Sequence, residues 1–331
     1  MRITRPGFWP SVFALAGVAL FTGTIAWLGW GDVWHVLRTV KPGFFGAYFG
    51  VQLVIVAGLA GAWRLLLRGA RGGRLLLLYW GRLLRDAAGE FLPFSHVGGF
   101  ILGGRAIALG GVGFADAAAS TLADVTVEFL AELVFIGIGL LILLAIAPGS
   151  ELLLPVAGGL AAATLGALGF LVAQNRGARI FRALALRIAG RAGGDAALKA
   201  DQLQAAIDAI YADKARLIGA AMLHLVCWFG TGLASFIGFR AVGVAITLGD
   251  AVAIEALLHA ILAAGFFVPG RLGLQEAAYT LLGSVFGIPG DVALSVSLLR
   301  RVRGLILAVP VLLVWQGIEA KRLQPASTPS E

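Results

Sequence analysis

Charge is what this chain has least of. Only 13% of its 331 residues are Asp, Glu, Lys or Arg, about half the share usual in soluble domains, and mean hydropathy reaches +0.91. A soluble globular fold is thereby excluded. The single cysteine, Cys227, lies inside an apolar run, which rules out a disulfide or a thiolate metal site within one chain and leaves a small buried hydrophobe. Also missing are HExxH, GxSxG, a Walker sequence and any Cys/His cluster. No residue therefore carries an enzyme signature, and no cofactor is expected. The apolar residues come in solid runs rather than in alternation, which excludes a closed transmembrane barrel.

What the chain does have is apolar runs at 8–31, 42–63, 133–150, 152–175 and 217–239, each close to or above the roughly 18 residues that license a membrane-spanning helix. The expected fold is an all-α polytopic membrane protein. Arg2 and Arg5 precede the first run, which is longer than a signal-peptide core, so it is expected to be an uncleaved first span. Net charge is +8, but the bases fall in blocks between apolar runs. One block is Arg64, Arg68, Arg71, Arg74, Arg82 and Arg85; another runs from Arg176 to Arg216. With the termini, 18 bases can lie on one side and only Arg38, Lys41 and Arg240 on the other. By the positive-inside rule both termini and both basic blocks are expected on the cytoplasmic side. Anionic lipid headgroups are the expected partners of the blocks, and nucleic acid is not.

Two stretches repeat each other. Arg64 precedes Pro93 by 29 residues and Arg240 precedes Pro269 by the same number. Around the prolines the first copy reads Phe91-Leu92-Pro93 with Gly98 and Gly99, and the second reads Phe267-Val268-Pro269 with Gly273. Each then enters a long helix opened by an acid, Asp116 or Asp291. The pattern predicts about six full spans plus two opposed broken hairpins, at 75–111 and 250–288, with Pro93, Gly98, Gly99, Pro269 and Gly273 as the breaks. Repeat one covers about 38–147, a cytoplasmic connector about 174–216 and repeat two about 214–318, with a disordered tail at 322–331. The two repeats are inverted in the bilayer, and the whole chain is one membrane domain. Matching Gly/Pro-interrupted segments are the sequence mark of a transport site at a repeat interface. In the connector, Leu203, Ile207, Ile210 and Tyr211 follow helical spacing, as in a helix lying on the membrane or on the bundle.

Several charges fall where the membrane core should be. Asp124, Glu128 and Glu132 are spaced four apart on one helix face. From entry near Asp116, Asp124 and Glu128 lie roughly 12 and 18 Å deep, and Arg300, Arg301 and Arg303 reach a similar depth from Asp291. Each such charge costs at least ~2.5 to 3.5 kcal/mol at mid-membrane, so these groups must face inward and pair. The acids of one repeat are expected to meet the bases of the other, either as closed salt bridges or around a polar cavity that handles a headgroup. His96 and Arg271 sit at the hairpin tips, and Glu255, His259 and Glu276 in the second hairpin. Arg105 follows Gly103-Gly104, where backbone N–H groups and a guanidinium suit a phosphate. Glu255 and His259 have metal-ligand spacing but no third ligand, so no metal is expected.

Gly61-Ala62-Trp63-Arg64, the Leu92-Pro93 stretch with Arg105, and above all the run from Phe267 to Tyr279 with its Pro269, Gly273 and Glu276 resemble the lysylphosphatidylglycerol synthase transmembrane (flippase-like) family. Within it the chain is similar to the HpnL-type proteins associated with hopanoid biosynthesis. The resemblance spans roughly residues 10–320. It implies a bacterial inner-membrane protein that moves lipids between leaflets, here hopanoids or a hopanoid-linked or anionic lipid, with hopanoid-biosynthesis enzymes as partners. It does not imply aminoacyl transfer, which in lysyl-lipid-forming members belongs to a soluble domain after the spans. On this reading Arg300 and Arg303 engage the headgroup, and Asp124 and Glu128 neutralise them when the site is empty. Arg105, Arg271 and Glu276 complete the site. Transport is passive or ion-coupled, with Glu128, Glu255 and Glu276 as proton carriers. Two alternatives stand beside it: a non-catalytic scaffold for hopanoid-lipid enzymes, and an intramembrane lipid-modifying enzyme using buried acids.

Overall fold

The computed structural model describes residues 38–67, 75–91, 95–169, 193–264 and 271–323, apart from 39 and 272. Among these residues there are ten helices and no strand. We number them α1 (Pro42–Leu66), α2 (Leu75–Phe91), α3 (Ser95–Leu109), α4 (Phe114–Ile146), α5 (Leu153–Gly169), α6 (Gly193–Ala212), α7 (Lys214–Ala241), α8 (Leu248–Ala264), α9 (Leu274–Val285) and α10 (Gly290–Leu323). Helices α1, α4 and α7 are long and apolar enough to cross a membrane. The expected first span at 8–31, Pro93, Pro269 and most of the tail lie outside the described residues.

Local sequence accounts for where the helices begin. Pro42 opens α1, where its missing N–H costs nothing. Asp116 and Asp291 sit in the first turns of α4 and α10, and Lys321 and Arg322 in the last turn of α10, each complementing the helix dipole. Asp213 caps α7 by accepting from the Arg216 N–H. Thr247 and Asp250 cap α8 reciprocally: the Asp250 N–H donates to Thr247 Oγ1 at 3.1 Å, and the Thr247 N–H donates to Asp250 Oδ2 at 3.4 Å.

Helix lengths recur in order. Helices α1 to α4 hold 25, 17, 15 and 33 residues, and α7 to α10 hold 28, 17, 12 and 34. The two leading helices, α1 and α7, pack against each other through small residues. A Cβ on Gly58 would meet Cys227 Sγ at 2.6 Å, and one on Gly230 would meet Ile55 at 3.0 Å. Such close approach is how membrane helices gain contact when lipid is as apolar as leucine. Helices α2 and α3 lie backbone to backbone, and α4 meets α8 where Gly139 faces Ala256.

The largest apolar cluster joins α4, α7, α8, α9 and α10, with Leu143, Phe239, Ile254 and Tyr279 buried in it. The connector helix α6 sends Ile207 and Ile210 against Ala62, Ala119, Ala123 and Ala220. Of the two placements open from the sequence, α6 therefore takes the one on the bundle.

One expected role changes. Gly98 and Gly99 lie inside α3 rather than at a break, and a Cβ on Gly99 would collide with the Arg85 carbonyl. Their use is close helix approach. Gly273 does precede a helix start, at φ +76° just before α9, a backbone setting that favours glycine.

Candidate functional site

Charged side chains gather in two clusters, one within each set of four helices. In the first, α2 supplies the bases and α4 the acids. Arg82 reaches Glu128 with both terminal nitrogens, Nη1 to Oε2 at 2.8 Å and Nη2 to Oε1 at 2.5 Å. Arg85 donates to Asp124 Oδ2 at 2.6 Å and also to Glu128. Arg82 Nε meets Asp86 at 2.9 Å, and His224 of α7 sets Nε2 3.0 Å from Asp124 Oδ1. These groups are sealed: Arg82 and Arg85 are each 5% exposed, and Asp124 and His224 are 0%. A buried pair of this kind holds only when geometry and additional hydrogen bonds offset desolvation. Here every acid has at least one guanidinium.

In the second cluster the signs are exchanged. Helix α8 supplies Glu255 and α9 supplies Glu276, while α10 carries the arginines. Arg300 donates to Glu255, which also accepts from the Tyr279 hydroxyl at 3.3 Å. Arg301 grips Glu276 Oε1 through Nε at 2.9 Å and Nη2 at 2.7 Å, leaving Glu276 Oε2 buried without a hydrogen-bond partner. Arg303 stands over the Tyr48 ring, its guanidinium carbon 4.6 Å from the centroid, and among the described residues it meets no carboxylate within ion-pair distance. Glu132 of α4 lies 3.1 Å from His259 Nδ1, and His259 Nε2 lies 3.5 Å from Glu255 Oε1. Arg271 falls within electrostatic reach of Glu90, Glu132, Arg300 and Arg301. Its φ of 52° is rare for a residue with a Cβ.

One pair of positions recurs in the two clusters, Arg82 with Asp124 at 3.6 Å in the first and Glu255 with Arg300 in the second. Arg82 lies seven residues after Leu75 and Glu255 seven after Leu248; Asp124 lies ten after Phe114 and Arg300 ten after Gly290. The same two positions are thus joined in both sets, with charge reversed. Both hold buried pairs, Glu255 and Arg301 included, but the margin of the second is wider: Arg271, Arg300, Arg303, Glu90 and Glu132 around it are half-buried, against Asp86 beside the first.

This arrangement corrects the expected pairing. Asp124 and Glu128 do not meet Arg300 and Arg303; each finds its guanidinium on α2, and of the three acids of α4 only Glu132 turns to a base of the other set, His259. Contacts that do cross between the sets use His224, His259 and Tyr48 instead. Arg82 and Arg85 leave the cytoplasmic basic block for the interior. Nor does Arg105 form a phosphate cradle: Gly103 and Gly104 are mid-helix, packed on Gly81 and Thr121, and Arg105 pairs with Glu319 at 2.8 and 3.0 Å. That pair is exposed, at 51% and 22%. Its hydrogen bond holds the Glu319 carboxyl below the ordinary glutamate range.

Sequence reasoning missed His224, Glu90 and Tyr48. His224 had a signal, being the one basic side chain deep inside the 217–239 run. Among the described residues no group of three or more His, Cys, Asp or Glu side chains is placed to hold a metal.

Residues 14–311 match the family described as lysylphosphatidylglycerol synthase TM region. No curated protein and no solved structure matches the chain at a significant level. The match covers most of the sequence, so the chain belongs to that family and is a membrane protein of lipid-related kind.

Proposed function

We propose that this member of the lysylphosphatidylglycerol synthase transmembrane family is a lipid translocase, acting at the second charge cluster. The observation that carries the reading lies at the margin of the second cluster, where half-buried Arg303 stands over the Tyr48 ring and, among the described residues, meets no carboxylate within ion-pair distance. A guanidinium so placed suits an anionic or polyhydroxyl headgroup. Arg271 and Arg300 flank it, and Glu255 and Glu276 keep the remaining arginines in place. The first cluster then serves as a lock that holds α2 to α4.

The finer architecture follows the same reading. Six full spans and two opposed re-entrant hairpins form an inverted repeat within a single membrane domain. Support comes from the recurring helix order and from α2, α3, α8 and α9, whose 17, 15, 17 and 12 residues extend roughly 25, 22, 25 and 18 Å, short of a ~30 Å hydrocarbon core. We place the protein in a bacterial inner membrane with cytoplasmic termini and a hopanoid or hopanoid-linked lipid as cargo. It converts no lipid.

The test is a leaflet-resolved lipid assay in proteoliposomes, comparing wild type with Arg303→Ala. Loss of one charge-assisted hydrogen bond, about 1.5 to 3 kcal/mol, lowers transbilayer movement roughly 10- to 100-fold. Thermal stability stays near wild type, since no carboxylate is orphaned. Equal rates in both proteins, for every lipid tried, would sink the reading. A lipid missing from a deletion strain, rather than misplaced between leaflets, would favour an enzyme instead.

A further inference from the structure

His259 is the one described side chain that stands between two carboxylates from different repeats. It is 9% exposed, its ring edge meets the Trp228 indole with centroids 4.5 Å apart, and its two nitrogens point opposite ways. Nδ1 faces Glu132 of α4 at 3.1 Å. Nε2 makes no close hydrogen bond among the described residues and lies 3.5 Å from Glu255 Oε1, within ion-pair reach and a small shift from bonding distance. A buried polar atom without a close hydrogen bond, aimed at a carboxylate, calls for a reason.

We propose that Glu132, His259 and Glu255 form a proton path that couples headgroup binding at Arg300 and Arg303 to proton uptake. The inference rests on the translocase reading of the second cluster. Starting with Glu132 protonated and His259 carrying its hydrogen on Nε2, the Glu132 O–H bond breaks as Nδ1–H forms. The Nε2–H bond then breaks as an O–H forms on Glu255. The imidazole ends neutral in its other tautomer, and one proton has moved from Glu132 to Glu255. Once neutral, Glu255 no longer holds Arg300, whose guanidinium turns to the headgroup beside Arg303. Anion and proton are then bound together, and the loaded site carries no more net charge than the empty one.

The surroundings allow this path and no neighbouring one. From α4, Glu132 faces the imidazole, whereas Glu128 is occupied by Arg82 and Arg85. From α7 the neighbour is Trp228, and His224 is turned to Asp124. From α9, Tyr279 donates to Glu255 and Glu276 is held by Arg301; from α10 comes Arg300 itself. Histidine titrates in the physiological range, which suits it to the middle of such a chain.

Trp228 supplies a reporter that needs no lipid. A protonated imidazole beside an indole quenches its fluorescence, and the difference between wild type and Trp228→Phe isolates this tryptophan from the other seven of the eight. The purified full chain in detergent is titrated from about pH 8 to about pH 5, the window in which imidazole changes charge. The expected result is quenching at low pH in wild type, lost in His259→Gln, with a midpoint moved to lower pH in Glu132→Gln and Glu255→Gln. In vesicles of phosphatidylethanolamine and phosphatidylglycerol with a fluorescently tagged phosphatidylglycerol, a pH gradient speeds lipid movement several-fold in wild type and leaves Glu255→Gln unaffected. Quenching that persists in His259→Gln, or that is absent from wild type, overturns the path. Lipid movement indifferent to the gradient in wild type overturns the coupling and leaves translocation standing. No lipid movement in wild type overturns the translocase reading and the coupling with it, while the fluorescence arm still decides whether the imidazole takes up a proton.

Discussion

Replacing Arg85 by Gln removes a guanidinium that serves Asp124 and Glu128 together, in a place where water cannot substitute. Arg85 is 5% exposed and Asp124 0%, so the carboxylate left behind loses its nearest partner at 2.6 Å and keeps only His224 at 3.0 Å and Arg82 at 3.6 Å. Breaking one side of such a buried pair costs about 3 to 5 kcal/mol, which is roughly a 150- to 4,000-fold loss in the folded-to-unfolded ratio. The chain contains its own reporter. Cys227 is the only cysteine, it is buried, and it sits against Gly58 at the α1–α7 contact. A thiol-reactive dye that fluoresces on reaction therefore reads global unfolding in detergent. Arg105→Gln is the control, since its pair with Glu319 is exposed and is worth within about 1 kcal/mol. Arg85→Met combined with Asp124→Leu should recover part of the loss, because Glu128 keeps Arg82 while buried His224 loses its contact with Asp124. If Arg85→Gln and Arg105→Gln shift the unfolding temperature equally, burial does not set the value of these pairs and the lock assigned to the first cluster is wrong.

Other outcomes follow from single contacts. Gly139→Ala places a Cβ 2.5 Å from that of Ala256, and the overpacking should destabilise by about 1 to 3 kcal/mol, against a far smaller effect for Gly159→Ala, where nothing lies within 4 Å; dye unfolding measures both. Glu319 has a folded pKa lowered by its bond from Arg105, so its contribution is present above the ordinary glutamate value of about 4.3 and is lost as pH falls through the lowered folded value. The unfolding-temperature difference between wild type and Glu319→Gln should accordingly shrink towards zero on acidification; a difference that grows instead contradicts the assignment. Trp63→Phe deletes a buried indole N–H that donates to Ser120 Oγ at 3.2 Å and should cost about 1 to 3 kcal/mol by leaving space and one hydroxyl less well bonded.

Much of the architecture was legible because membrane helices announce themselves by length. Helix α4 was expected from Asp116 to residue 147 and runs Phe114–Ile146; α7 was expected at 217–239 and runs Lys214–Ala241. That Asp124 and Arg300 stand equally far into their helices, ten residues from each start, was also readable. Pairing was not. Periodicity states which face a residue occupies, but not which helix lies opposite that face. Arg82 and Arg85 were assigned to the cytoplasm because they follow four other arginines in sequence. Their spacing of three, with Asp86 beside them, was the available sign that they share a face with something to bind. Arg105 misled for a related reason. Two glycines before an arginine describe a phosphate loop only when they end a helix, and Gly103 and Gly104 lie inside one.

The sign reversal between equivalent positions has a bearing on how the chain assembles. Helix α2 touches both long helices: its arginines meet α4, while Leu84 and Ala87 rest on Leu305, Ala308 and Val311 of α10, with Glu90 at Gly304. Turned about its axis, α2 would press guanidinium against guanidinium on α10, and α8 misturned towards α4 would set carboxylate against carboxylate. Like charges in a medium that screens so little repel strongly. Opposite polarity in the two sets of four helices thus acts as an address, favouring one rotational setting for each short helix over its like-charged alternative.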